Sequence, residues 1–269
     1  MISLKRNKKT KELVEAKGLR VKQSTIYKPN QINDFKISRS KFDDFLKCQK
    51  CFYLDRVKGL VSPSMPGWTL NETTDLLLKK EFDHCRKMQK THRILLDNNL
   101  NHIVPFAHPD LEKWRDSLHG GLGVRFKKTN IMLAGGIDDV WQNSKTKEII
   151  VVDYKSQATD YPVNPKSYFD SPYHADYQLQ LDFYAYLFKE MNFEVAPIGY
   201  LVVCNADRSA KLFNKNIKFS ETLVPYELKI DEIPKKIERM IQTLNKNTIP
   251  LPNKSCENCA YAYQRNILK

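Results

Sequence analysis

Asp138, Asp153 and Lys155 are the residues of this chain whose types and spacing could do chemistry, and the chemistry they suit is divalent-cation binding with phosphodiester hydrolysis. They lie in AGGIDDVWQNSKTKEIIVVDYK, residues 134–155. IMLAGGIDDVW and EIIVVDYK are apolar, β-branched runs that predict strands, and the polar NSKTK between them predicts a hairpin loop. If Gln142 falls opposite Glu148 or so, the antiparallel register brings Asp138 opposite Asp153. Side chains alternate along a strand, so Asp153 and Lys155 share one face while Val152 and Tyr154 point into the opposite layer. Two carboxylates and an ammonium then converge. Carboxylates held this close repel, and a divalent cation between them turns repulsion into binding.

Mg²⁺ favours oxygen ligands and keeps several waters, so Asp138, Asp153 and the carbonyl of Tyr154 would leave positions for water and a phosphate oxygen. The metal, Mg²⁺ or Mn²⁺, would supply the Lewis acid. Lys155 could orient or deprotonate the attacking water and neutralise charge on the pentavalent transition state. The plain alternative is a surface hairpin carrying an ordinary cross-strand Asp and Lys pair.

The pattern GGIDD, then VVDYK, then YQLQLDFYAYLF is similar to the RecB-like branch of the PD-(D/E)XK nuclease superfamily, which includes the RecB and AddAB nuclease domains and the CRISPR-associated adaptation nucleases. The resemblance runs in order through most of Ser38 to Cys259. It implies that Asp138 and Asp153 bind metal, that Lys155 is the motif lysine, and that Gln180 and Tyr184 form the Gln-x-x-x-Tyr of a following helix. From His174 to Lys189, apolar Leu179, Leu181, Phe183, Tyr184, Leu187 and Phe188 include the spacings of three and four that a half-buried helix requires. Gln180 and Tyr184, at i and i+4, share a face. Beside the metal strands, Gln180 could order the Lys155 region and Tyr184 a nucleic-acid backbone; Tyr184 as a core residue is the competing reading.

Family members carry a further metal ligand, His or Glu, on an upstream helix. The corresponding segment here is LNETTDLLLKKEFDHCRKMQ, in which Asp75 stands at the His position, and a hard cation accepts an Asp at least as well. Glu81 and His84 are competing candidates, better accounted for as solvated positions on an amphipathic helix.

Cys48-Gln-Lys-Cys51 and Cys256-Glu-Asn-Cys259 are two metal-type pairs. The first is expected on one face of a helix starting near Ser38 or Ser40, and the second in a loop after Pro250 and Pro252. Four meeting thiolates would staple the chain ends over the core. Some RecB-like nucleases hold a four-iron four-sulfur cluster with one upstream and three downstream cysteines; this chain has two and two. An iron–sulfur cluster ranks first, Zn²⁺ second and free thiols third. Cys85 and Cys204 are expected to be small buried hydrophobes.

At 269 residues and 41% hydrophobic content the chain can bury a full core. There is no membrane-length apolar run and no signal-peptide stretch at the N-terminus, which predicts a cytoplasmic protein with no membrane partner. Of the formal charge of +13, nine Lys and Arg against two Glu place +7 in residues 1–28. That arm is expected to be partly disordered, serving either as a phosphate-binding segment or as a solubilising tail. Residues 29–269 are expected to form a single nuclease domain whose cysteine-bearing ends are 38–60 and 250–269.

ISRSKFDDFLKCQKCFYLDRVKGL predicts a capped helix, Asn71–Gln89 a long helix, and Leu111–Ser117 a short one. GYLVVCN predicts a buried strand, LFNKNIKF and TLVPYEL outer strands, and DEIPKKIERMIQTLNK a closing helix. The resemblance implies an α/β, restriction-endonuclease-like core, a mixed central sheet flanked by helices in α-β-β-β-α-β order, its terminal segments joined by the cysteine cluster. The function expected is that of a metal-dependent DNA nuclease of exonuclease type in repair, recombination or defence. Its partners would be DNA ends or single strands and a helicase or other repair or defence protein. The alternative is a non-catalytic DNA-binding or scaffold protein on a nuclease fold.

Overall fold

A computed structural model describes residues 2–268. In chain order the elements are β1 (Phe35–Ser38), α1 (Arg39–Lys47), α2 (Gln49–Arg56), α3 (Thr69–Met88), α4 (Arg93–Asp97), β2 (Ile103–Pro105), α5 (Leu111–Arg115), β3 (Leu122–Arg125), β4 (Ile131–Gly135), β5 (Asp139–Asn143), β6 (Ile149–Gln157), α6 (Ala175–Glu190), β7 (Ile198–Ala206), β8 (Phe219–Glu227), α7 (Ile233–Leu244) and α8 (Glu257–Ile267). They divide between two compact units, one of residues 68–124 and 133–233 and one of residues 1–67, 125–132 and 234–269. No helix among the described residues is long and apolar enough to cross a membrane.

The first of these units is an α/β layer structure around a mixed sheet of order β2-β5-β6-β7-β8. β6 and β7 pair in parallel, with Asp153 beside Leu201, and the remaining pairs are antiparallel. Parallel neighbours need a crossover, and α6 supplies it. On one face Ile150, Val152, Tyr154, Tyr200, Val202 and Cys204 pack with Leu78 and Phe82 of α3. Phe82 stacks on Trp141 at 5.2 Å and on Tyr154 at 5.7 Å. Truncating such a buried ring to alanine costs about 3–5 kcal/mol. The opposite face, bearing Asp153, Lys155 and Gly199, receives α6, which is buried all round from Leu181 to Phe188 rather than on one side only.

The second unit joins the two ends of the chain. Phe42, Phe45, Phe52 and Tyr53 are buried on α1 and α2, and Ile237, Met240 and Leu244 are buried on α7 at helical spacing. The Tyr53 hydroxyl donates to the Lys246 carbonyl at 2.7 Å, and Tyr27 donates to Asn245 Oδ1 at 2.9 Å. Within residues 2–28, backbone bonds link Arg20 to Gly59 and Val61 to Gly18, and Tyr27 is buried.

Four elements differ from the sequence expectation. IMLAGGIDDVW is not one strand: it bends at residues 136–138, leaving β4 in a three-stranded sheet of order β1-β4-β3 and β5 in the larger one. Its apolar content is continuous because both halves are buried, which hides the change of sheet. The helix after Ser38 is two helices, because Cys48 is extended, with φ −155° and ψ 106°, while apolar spacing carries on through the break. LFNKNIKF contributes only Phe219 to β8. Asn214 and Lys215 have left-handed φ of 43° and 59° in a turn, and Leu212 and Phe213 are exposed. The segment after Pro252 ends in α8, which buries no residue and so carries no apolar stripe to announce it.

Candidate active site

The bend between β4 and β5 delivers Asp138, and two glycines permit it. A Cβ on Gly135 would lie 2.5 Å from Tyr184 Cε1, and one on Gly136 2.7 Å from Ser117 Cβ. Tyr184 packs into that space, and its hydroxyl donates to the Gly136 carbonyl at 2.7 Å. Beyond the bend, Asp139 pairs with Val152 and Gln142 with Ile149, so the register continued one step sets Asp138 against Asp153. The Tyr154 amide donates to Asp138 Oδ2 at 3.0 Å, fixing the carboxylate at the sheet.

Asp153 is fully buried. Gln180 of α6 donates its amide to one Asp153 oxygen, Lys155 ion-pairs with the other, and Lys155 Nζ donates to Gln180 Oε1 at 3.3 Å. The ammonium also lies 4.6 Å from the Tyr177 ring centroid. One side chain of α6 thus orders both members of the Asp-x-Lys pair. Tyr184 joins this assembly only through the bend. It is 4% exposed, so it has no free face for a nucleic-acid backbone and acts as a core residue that supports Asp138.

From α3, Asp75 reaches the same place. Lys79, one turn on, donates to Asp75 Oδ2 at 2.8 Å and to Asp138 Oδ1 at 3.2 Å. Asp75 Oδ1 is buried and has no hydrogen-bond partner among the described residues. Glu81 instead pairs with Arg93 and His92, and His84 is exposed, so neither enters the site. The sequence pattern does not single out Lys79. Its i+4 spacing from Asp75 is a visible signal, but one shared by every ordinary helix ion pair.

The electrostatics follow from burial and from the mixture of carboxylates and ammonium groups. Burial and the neighbouring charge of Asp138 push Asp153 up to about 7, against the pull of Lys155. Asp75 is raised by burial and by Asp138. For Asp138 burial acts upward, but Lys79 and Lys155 outweigh it and hold the carboxyl below its ordinary value. Lys79 and Lys155 are both raised despite burial, because carboxylates surround them. Once all three carboxylates are ionised, the two ammonium groups leave one negative charge uncompensated. All-oxygen donors and the orphaned Asp75 Oδ1 fit a hard divalent ion.

A buried layer behind these residues is likewise not marked by any motif. Asp139, fully buried, accepts from Arg86, from Arg115 Nη2 at 3.1 Å and from the Tyr154 hydroxyl at 2.6 Å. Arg115 Nε donates to the Asp138 carbonyl at 3.1 Å and Nη1 to Asp83 at 3.0 Å. Tyr154, whose backbone meets the Asp138 carboxylate, is therefore tied at its phenol to the network that grips the Asp138 backbone. The doubled Asp of GGIDD is the available sign, one carboxylate facing each side of the strand.

The four motif cysteines meet in the other unit, with their sulfurs all within 4.8 Å of one another. Cys204 is buried, and Cys85 is half-buried on α3 rather than fully enclosed. No curated protein matches the chain. A sequence profile of the PD-(D/E)XK nuclease superfamily matches residues 70–263, a span containing Asp75, the Asp138–Lys155 hairpin and Gln180, and the chain belongs to that superfamily.

Proposed function

We propose that this chain is a Mg²⁺- or Mn²⁺-dependent deoxyribonuclease of the RecB-like branch, acting at DNA ends or on single strands in repair, recombination or defence. The observation that carries the reading is the convergence of Asp75, Asp138 and Asp153 with Lys155 and Gln180. Asp75, Asp138, Asp153 and the Tyr154 carbonyl would hold the ion. When bound, the ion supplies a Lewis acid for the phosphate and a lowered pKa for water.

The protein's own groups do the rest. Lys155 is kept as an ammonium by Asp153 and Asp138, so it places positive charge against the pentavalent phosphorus and donates to the water or to a phosphate oxygen. Gln180 fixes the direction of that ammonium, leaving less reorganisation for the transition state. Lys79 offers a second ammonium from α3 at the same carboxylates. The GGID, VVDYK and Gln-x-x-x-Tyr segments, in that order on β4–β5, β6 and α6, support the RecB-like assignment. The balance of +7 in residues 1–28 supports a phosphate-backbone partner bound without sequence readout. Incubating the protein with end-labelled single-stranded and duplex DNA, with Mn²⁺ or with EDTA, tests the proposal. Metal-dependent products that shorten from an end are expected, and binding without any cleavage would make the chain a non-catalytic DNA-binding protein.

A further inference from the structure

Cys48 and Cys256 occupy equivalent places. Each is the extended residue that caps a helix, α2 and α8 respectively, and each is followed three residues later by Cys51 or Cys259 in the first turn. The Cys48 carbonyl accepts from the Phe52 amide at 3.0 Å and the Cys256 carbonyl from the Ala260 amide at 3.1 Å. Each helix N-terminus therefore carries one pair of thiols, an N-cap cysteine and a first-turn cysteine. Asn253 secures the approach, donating from Nδ2 to the Lys47 carbonyl at 2.8 Å and accepting the Cys256 amide at 3.0 Å.

Sulfur separations discriminate between the groups that four cysteines can hold. Cys51 Sγ lies 3.4 Å from Cys259 Sγ and 3.5 Å from Cys256 Sγ, and Cys48 Sγ lies 3.8 Å from Cys259 Sγ. None of these is a disulfide, which requires about 2.0 Å. One tetrahedral ion with metal–sulfur bonds of about 2.3 Å sets its four sulfurs roughly 3.8 Å apart. In a four-iron cluster each thiolate caps a different iron, so the inorganic core holds the sulfurs roughly 6 Å apart. A two-iron cluster separates its two cysteine pairs in the same way. Here the short distances run across the pairs, and no sulfur is more than 4.8 Å from another.

We infer that Cys48, Cys51, Cys256 and Cys259 bind a single tetrahedral ion of the zinc class, in place of the iron–sulfur cluster that a RecB-like affiliation would suggest. Four soft thiolates in tetrahedral array suit Zn²⁺, which needs no redox partner. The ion is structural, because all four positions are taken by protein and none remains for substrate. Its work is to fasten α8. That helix of 11 residues buries none of them, and Cys259 is its one residue that is half-buried rather than exposed. An isolated helix of this length is marginal in water. The ion closes a loop of 205 residues between Cys51 and Cys256.

The native protein, purified anaerobically from cells supplied with both zinc and iron, decides the matter before any Mg²⁺ is added. Zinc, iron and acid-labile sulfide are measured per chain. One zinc and negligible sulfide are expected, and replacement by Co²⁺ should give the intense visible bands of a tetrahedral thiolate site. Cys256→His should retain one zinc, and Cys256→Ala should lose it together with hydrogen-exchange protection across α8. Iron with matching sulfide would overturn the inference, as would metal-free native protein whose four thiols alkylate freely. None of these readouts involves DNA cleavage, so they stand whether or not the nuclease reading does.

Discussion

Replacing Asp153 by Asn should make the Mg²⁺-free protein more stable at neutral pH while removing its metal response. Asp153 is fully buried and titrates at about 7 in the folded protein, against 3.8 as an ordinary side chain. A carboxyl whose folded pKa is raised keeps its proton longer in the native state than in the unfolded one. Stability is then greatest in acid, falls as pH rises from about 4 to about 7, and levels off above. The slope within that window approaches 1.4 kcal/mol per pH unit, so the loss between pH 5 and pH 7 is about 2–3 kcal/mol. The Asp153→Asn variant carries no such proton, and its profile should lack that decline. Asp138 is shifted downward, so its contribution disappears only below the ordinary carboxylate range, outside the window. The raised Asp75 and the lowered His92 act in both proteins and cancel in the comparison. Urea unfolding of both proteins at pH 5, 6, 7 and 8 in Mg²⁺-free buffer without chelator measures the difference. Saturating Mg²⁺ at a hundred times its Kd should then raise the wild type by about 2.7 kcal/mol and leave the variant unmoved. Parallel pH profiles would refute the argument that burial and Asp138 strain this carboxylate, and an equal Mg²⁺ response would remove Asp153 from the ligand set.

Lys155→Ala should lower the cleavage rate by about 10²–10⁴ while DNA affinity measured in Ca²⁺ changes little, since the ammonium acts at the reacting phosphate and affinity comes from dispersed cations; an unimpaired rate would exclude it from the chemistry. Asp139→Asn leaves Arg86 and Arg115 without their buried counter-charge and should cost about 3–5 kcal/mol in urea unfolding. A change below about 1 kcal/mol would show that Asp83 alone suffices for both guanidinium groups. Deleting Met1–Lys17, which spares Gly18, Arg20 and the buried Tyr27, should weaken DNA binding and flatten the dependence of log K on log salt by about 0.9 for each phosphate no longer neutralised, with the metal response unaltered. An identical salt slope would make the arm a solubilising tail.

The fold is most legible where one physical signal dominates. β6 and β7 are runs of Val, Ile, Tyr and Leu buried on both faces, and a parallel pair of central strands needs that composition. Asn143, the turn residue of the β5–β6 hairpin, accepts from the amides of Lys145 and Thr146 as an Asx turn does, which fixes the register that opposes Asp138 to Asp153. The expectation fails where two signals conflict or none exists. Through Gly135-Gly136 the apolar pattern stays continuous while the chain changes sheets, because Tyr184 and Ser117 take the space that side chains would fill. At Cys48 helical apolar spacing persists across an extended residue, so the apolar pattern does not mark the break. α8 has no buried face at all, and a helix held by two cysteines leaves no periodicity to read.

Asp138, Asp153, Lys155 and Gln180 are visible in the sequence because strand alternation and a short hairpin are enough to bring the first three together, and a conventional crossover brings the fourth. What sequence does not show is which charges compensate them. Lys79 and Arg115 lie on different helices, away from the Asp-x-Lys strand, and their partners are fixed only once α3 and α5 have packed. The two are not interchangeable. Lys79 faces the carboxylates that would take the ion, so its charge can be exchanged for a metal's, whereas Arg115 holds the Asp138 carbonyl and the buried Asp139 from behind and has no such competitor. A candidate site whose ionised carboxylates would outnumber its ammonium groups in front, with a guanidinium network behind, fits a cation. That division between exchangeable and permanent positive charge is a property of three-dimensional packing, and it is the feature that a set of motif residues leaves out.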